Sequence, residues 1–91
     1  MNLKNGDIVA ILRDVDKRYV CEIVDELVRQ GIKWVEVSLS NESNGLACLE
    51  KIAYKYKDIL QIGTGTVTKK DQVEKAVELG AKYIITPGWD R

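Results

Sequence analysis

Three observations in the 91-residue sequence predict an α/β protein built on a parallel sheet. Short apolar runs rich in β-branched residues alternate with amphipathic stretches of helical period. The links between them are short. Polar and conformationally special residues recur where an apolar run stops and the next loop starts. Strands and helices in strict alternation require right-handed crossovers between parallel strands, and the carboxyl ends of such strands are where α/β folds hold ligands.

Length and composition set the bounds. Ninety-one residues fit one small domain with no linker. An apolar fraction of 45% with 31% charged residues is that of a globular chain, neither a disordered tail nor a membrane span. Fourteen basic and fourteen acidic residues cancel without a run of like charge, which argues against nucleic acid or an anionic membrane as partner. The chain has no histidine, and Cys21 and Cys48 fall inside helical stretches without metal or redox spacing, so they read as small buried residues of a reducing compartment. Met1 to Asp7 is polar and holds no apolar signal core, so the expected location is the cytoplasm.

The elements follow in order. Asp7 to Arg13 is a nearly continuous apolar run ending in a cation, read as a first strand buried on both faces. Asp14 and Asp16 offer capping oxygens, and Val20, Ile23, Val24, Leu27 and Val28 recur at helical spacing until Gly31. Lys33 to Leu39 is the second strand. Ser40 to Gly45 is a loop able to cap the next helix, whose apolar stripe is Leu46, Leu49, Ile52, Ala53 and Tyr56, with Lys51, Lys55 and Lys57 on its wet side. Ile59 to Ile62 is the third strand, running into Gly63-Thr64-Gly65-Thr66. Thr68 reads as a cap with Asp71 three residues on, and Val73, Ala76 and Val77 as the buried side of a third helix ending at Gly80. Tyr83 to Thr86 is the fourth strand, closed by Pro87-Gly88.

Glu36 is the anomaly in this pattern. Alternation puts Val35, Val37 and Leu39 on one face of the second strand and Trp34, Glu36 and Ser38 on the other. The stretches Gly31 to Val37 and Gly80 to Thr86 match in residue type, yet Ile85 stands where the first has Glu36. Two readings are open: a strand-end carboxylate that reaches solvent or pairs with Arg13, and a general acid/base tuned by partial burial and a nearby cation. The turn-like Gly63-Thr64-Gly65-Thr66 is equally open between a tight turn and an anion-binding loop, since it has neither the lysine of a P-loop nor a third glycine.

Taken together, Ile8-Val9-Ala10-Ile11-Leu12-Arg13, Val35-Glu36-Val37-Ser38-Leu39, Ile62-Gly63-Thr64-Gly65-Thr66-Val67 and Ile84-Ile85-Thr86-Pro87-Gly88-Trp89-Asp90 resemble, in order and spacing, successive blocks of the 2-keto-3-deoxy-6-phosphogluconate aldolases. The resemblance covers nearly the whole chain. It implies that residues 1–91 are the first half of a TIM (β/α)8 barrel, a partial domain of strands one to four and helices one to three. It also implies a class I aldolase that splits a phosphorylated keto-deoxy sugar acid into pyruvate and glyceraldehyde 3-phosphate through a lysine Schiff base, with no metal and no cofactor. The partners implied are a small keto acid or pyruvate, and further copies in a homo-oligomer, a trimer for the full-length family.

In that likeness Glu36 matches the proton-shuttling glutamate and Arg13 the basic residue beside it. Gly65 and Thr66 match the segment that contacts the pyruvyl end, and Pro87 the proline lining the same pocket. Ser38-Leu39-Ser40-Asn41 departs from the Thr-Leu-Arg-Thr of many members, and is loosely nearer the Leu-Asn-Ser of the related 6-phosphogalactonate aldolases. No lysine stands at the carboxyl end of a strand, so the Schiff-base lysine is expected outside this chain, and the chain alone is expected to be inactive. Four barrel strands without the rest leave open edges and a bare inner face. Two other readings stand beside the aldolase: a non-catalytic half-barrel that self-associates, and a phosphosugar epimerase or isomerase using Glu36 as base.

Overall fold

A computed structural model describes residues 8–85. Strands β1 (Val9–Leu12), β2 (Trp34–Ser38), β3 (Gln61–Gly65) and β4 (Tyr83–Ile84) alternate with helices α1 (Val20–Arg29), α2 (Glu42–Tyr56) and α3 (Lys70–Glu78). The strands form one parallel sheet in the order β1-β2-β3-β4. Strand order thus equals chain order, so each crossover joins neighbours, as in successive βα units of a barrel wall.

Period-two alternation divides the sheet into a covered and an open face. Leu12, Val37, Thr64 and Ile84 form one register row, and Ile11, Glu36, Gly63 and Tyr83 form the next, turned the other way. The first row meets the helices. Leu12, Val35, Val37 and Ile62 pack there with Val20 and Val24 of α1, Leu49, Ile52 and Tyr56 of α2 and Ala76 of α3. Among the described residues no helix covers the second row. Ile11 is 59% exposed, so β1 is not buried on both faces as its apolar run suggested; a continuous apolar run needs cover on both sides, and only one side has it.

The helix ends are set by specific bonds. At the end of α1 the Gly31 N–H donates to Val28 O and the Ile32 N–H to Leu27 O, with Gly31 at φ 87°. Helix α3 ends alike: Gly80 N–H to Val77 O and Ala81 N–H to Ala76 O, with Gly80 at φ 108°. Both are Schellman stops, which need the left-handed conformation glycine supplies. The matching stretches seen in the sequence are therefore one helix-stop-strand device used twice.

The starts differ from expectation. Asp16 caps a turn ahead of α1, accepting the Arg18 N–H at 2.8 Å and pairing with the Arg18 guanidinium, while Tyr19 at the helix start offers no side-chain cap. That guanidinium holds the Asp16 carboxyl down at about 2. At α3 it is Gln72, not Asp71, that reaches back, its Oε1 accepting the Thr68 and Lys69 N–H groups. The buried side of α3 is correspondingly Gln72 and Ala76, while Val77 is 57% exposed. Asn41 caps α2 as the loop reading allowed, accepting the Asn44 N–H at 3.3 Å. Cys48 is buried and Cys21 partly so, both as free thiols.

Gly45 locks α2 onto the carboxyl end of β2. A methyl group there would lie 2.6 Å from the Ser38 carbonyl oxygen and 2.9 Å from Leu39 Cδ2. Glycine to alanine inside a helix ordinarily stabilises by about 1 kcal/mol. Here the contact with main chain reverses the sign, and we expect Gly45→Ala to lower the urea midpoint; a raised midpoint would show that α2 does not sit this close.

Candidate functional site

The site is assembled where β2 and β3 end. Glu36 projects from the middle of β2 on the open face, partly buried, and its side chain lies across β3. A methyl group on Gly65 would stand 2.7 Å from Glu36 Cδ, so the carboxylate rests directly on the main chain of β3. The glycine-rich segment is thus neither a tight turn nor a phosphate loop over its first part. Gln61 through Gly65 is strand, tied on both sides by Leu39 N–H to Gly65 O at 2.9 Å and Ile85 N–H to Thr64 O at 2.8 Å. The turn comes at Thr66, whose φ of 56° is left-handed.

Small hydroxyls gather beside that turn. Ser38 Oγ lies 3.1 Å from Ser40 Oγ and 3.3 Å from Thr66 Oγ1, and it accepts the Ser40 N–H at 3.3 Å. Ser38 is 4% exposed and shares the open-face orientation of Glu36. Such a cluster of short donors and acceptors next to a carboxylate suits a carboxylate or hydroxyl ligand. In the sequence, strand alternation already places Ser38 on the face of Glu36, while Ser40 is marked only by its departure from the Thr-Leu-Arg-Thr run.

The amino side of Glu36 is closed by rings. Trp34 and Tyr83 stand with centroids 5.7 Å apart, tilted by 54°. The Tyr83 hydroxyl donates to the Val35 carbonyl at 2.9 Å. Burial, and secondarily the negative charge of Glu36, push the Tyr83 phenol up to about 12. Tyr83 was read only as the opening residue of a strand; nothing local marks it, because its contacts come from two strands away.

Of the site residues expected from the sequence, the structure brings together Glu36 and Gly65, with Thr66 joined to them through Ser38. Arg13 stands exposed after β1, where Asp14 turns the chain at φ 57°. Among the described residues no salt bridge joins Arg13 to Glu36, so the ion-pair reading of Glu36 is not realised there. Pro87 lies outside the described residues. Lys33 precedes β2, and Lys82 precedes β4 with its Nζ bonded to Lys57 O and Leu60 O, both at the amino end of the sheet and away from the hydroxyl cluster. Among the described residues no group of three or more His, Cys, Asp or Glu is placed to hold a metal ion, and no helix is long and apolar enough to cross a membrane. A separate open groove of about 380 Å³, lined by Asp14, Asp16, Lys17, Arg18, Asn41 and Asn44, lies beside the β1–α1 loop and does not include Glu36.

The Tyr83 phenol gives a pH signature. Its folded value, about 12, lies above the ordinary 10, so neutral Tyr83 contributes stability that is complete below pH 10 and is lost as pH rises toward 12. We expect the stability of Tyr83→Phe to fall less over that window, and Glu36→Gln to lower the Tyr83 titration seen by tyrosine ¹³Cζ NMR. An unmoved titration would mean that the two groups are not neighbours.

Comparison with known proteins agrees with this fold. The family model for KDPG and KHG aldolase matches residues 1–91. A 2-dehydro-3-deoxy-phosphogluconate aldolase of Pseudoalteromonas atlantica is 32% identical over 83 residues, covering 91% of this chain and 38% of the relative. A 2-dehydro-3-deoxy-6-phosphogalactonate aldolase of Escherichia coli is 31% identical over 80 residues, 88% of this chain and 38% of the relative. Among solved structures, a native KDPGal structure superposes with a TM-score of 0.82 at 27% identity, covering 99% of this chain and 44% of that one. KDPG aldolase from Legionella pneumophila, with pyruvate captured as a covalent carbinolamine, superposes at 0.80 with 26% identity, over 91% of this chain and 39% of that one. The chain spans 38% of the length of both curated relatives, and its four-stranded parallel sheet is a partial unit of their α/β fold. The chain belongs to the KDPG and KHG aldolase family.

Proposed function

We propose that this chain supplies the acid/base wall of a class I aldolase acting on 2-keto-3-deoxy-6-phosphogluconate or its phosphogalactonate counterpart. The observation that carries the reading is the seat of Glu36: a partly buried carboxylate on the open face of a parallel strand, resting on Gly65 beside Ser38 and Thr66. In this reading the chain forms strands one to four of an eight-stranded barrel in a cytoplasmic homo-oligomer, a trimer in the complete form. The Schiff-base lysine comes from the strands that complete the barrel, so the 91 residues alone are inactive.

The chemistry asks for a proton carrier at that position. A lysine amine adds to the C2 carbonyl, and loss of water from the resulting carbinolamine needs a proton delivered to the departing oxygen. Cleavage of the C3–C4 bond sends its electron pair into the iminium and releases the C4 hydroxyl proton with the aldehyde. Protonation of the enamine at C3 and hydrolysis then release pyruvate. Glu36 serves as donor and acceptor in these steps. Thr66, Gly65 and Pro87 border the pyruvyl end, and Arg13 draws the substrate carboxylate toward the rim. Ser40 in place of the frequent arginine leaves hydroxyls where a charge would stand, which keeps both sugar acids in view.

The deciding experiment is intact-mass analysis of the native gene product before and after pyruvate with borohydride. A chain well above 10.3 kDa that gains a reduced pyruvyl adduct supports the reading. A 10.3 kDa chain without adduct favours the second reading, a self-associating half-barrel, to which exposed Ile11 on the uncovered face of the sheet also points. In the active enzyme we expect Glu36→Gln to slow turnover by ~10² with the fold intact; unchanged turnover removes Glu36 from the chemistry. Arg13→Ala should weaken pyruvate binding, and an unaltered pyruvate affinity would remove Arg13 from the site.

A further inference from the structure

Two side chains from flanking strands lie across β3, and each needs a glycine beneath it. Tyr83 leans from β4 over Gly63, where a methyl group would stand 2.5 Å from its Cζ. Glu36 leans from β2 over Gly65, where a methyl group would stand 2.7 Å from its Cδ. Gly63 and Gly65 are two residues apart in one strand, so both open on the same face. The two side chains therefore share one bare strip, the phenol toward its amino end and the carboxylate toward its carboxyl end.

The phenol crosses that strip completely. Its hydroxyl reaches the Val35 carbonyl on the far side, at 2.9 Å, and that carbonyl belongs to the peptide that leads into Glu36. Trp34, the next open-face residue of β2 on the amino side of Glu36, packs against the same ring. A glutamate side chain has several staggered rotamers, some directed up the strand and some down it. Those directed toward the amino end meet the space held by Tyr83 and Trp34. What remains is the position over Gly65, facing Ser38 and Thr66.

We infer that Tyr83 is a positioning residue for Glu36: seated on Gly63 and tethered to the Val35 carbonyl, its ring excludes the carboxylate from the amino half of the open face and holds it at the rim. The functional consequence rests on the acid/base reading of Glu36; the placement itself does not. The Tyr83 phenol is made less acidic by burial and then by the Glu36 charge, and the second effect agrees with the two groups being close. Gly63 and Gly65 then have one shared purpose, clearance for the two side chains, and no anion-binding role is needed to explain them.

The test sets Tyr83→Phe and Tyr83→Leu, each alone and combined with Glu36→Gln, in the full-length protein. The readouts are kcat, KM and the nuclear Overhauser contact between Glu36 Hγ and Gly65 Hα. Misplacing a reacting group by about 1 Å costs up to ~10² in rate, so we expect Tyr83→Leu to lose kcat about tenfold or more with KM within about twofold, and to lose the contact. Tyr83→Phe keeps the ring and drops the tether, and should lose about threefold with a weakened contact. In the Glu36→Gln background neither change should lower kcat further, because the group they position is gone. Losses that multiply in that background, or a kcat and a contact that survive Tyr83→Leu, overturn the inference. Should Tyr83→Leu fail to fold, Tyr83→Phe decides by the same readouts. Should the wild-type protein show no aldol cleavage, the proposed function falls but the contact still judges the placement: its loss in the Tyr83 variants supports the inference, and its retention overturns it.

Discussion

Everything in the site depends on β3 carrying no side chain on its open face at Gly63 and Gly65. Carbon at either position would collide with Tyr83 or Glu36. The strand acts through its main chain alone, as a flat bed on which groups from both neighbours lie. That choice has a cost, since glycine within a strand weakens it by roughly 0.5–1 kcal/mol relative to alanine. The cost is met locally by hydrogen bonding to both flanking strands, which ties the glycine segment at Leu39 on one side and Ile85 on the other.

The two faces of the sheet divide the labour. The covered face holds almost all of the fully buried apolar side chains, from Val35 and Ile62 to Leu49 and Ile52, and stability resides there. The register row on that face, Leu12, Val37, Thr64 and Ile84, is apolar except at Thr64, whose buried hydroxyl finds no protein partner among the described residues. The open face is chemically mixed, with a carboxylate, two aromatic rings and clustered hydroxyls over a glycine floor. In the longer relatives more chain is present beyond the matched part, and an inward face of this composition is what a barrel interior with a polar site demands.

The parts of this arrangement that sequence made visible are those with local causes. Alternation in Trp34 to Leu39 separated Glu36 and Ser38 from Val35 and Val37, and the structure keeps that separation. The two stretches starting at Gly31 and Gly80 announced their shared geometry because a Schellman stop is a local device. Elsewhere the cause is distant. Gly63-Thr64-Gly65 has the composition of a turn and is strand because β2 and β4 flank it. Tyr83 has no neighbour in sequence that explains it; its partners are residues 34, 35 and 63. Capping shifted by one residue at α3, where Gln72 rather than Asp71 reaches back to the Thr68 and Lys69 N–H groups, while at α1 Asp16 caps the preceding turn instead of the helix itself. Arg13 stands exposed after β1, next to the left-handed Asp14, and makes no ion pair with Glu36 among the described residues.

A site floored by bare main chain restricts how it can change. Substituting Gly63 or Gly65 does not tune the pocket, because any side chain there displaces the residues already resting on it. Variation in ligand preference has to enter from the sides, through the β2–α2 connection at Ser38, Ser40 and Asn41 and through Thr66 at the turn. In the proposed reading the glycine floor is the constrained part and the rim hydroxyls are the adjustable part, so chemistry and selectivity would be carried by separable segments of the chain.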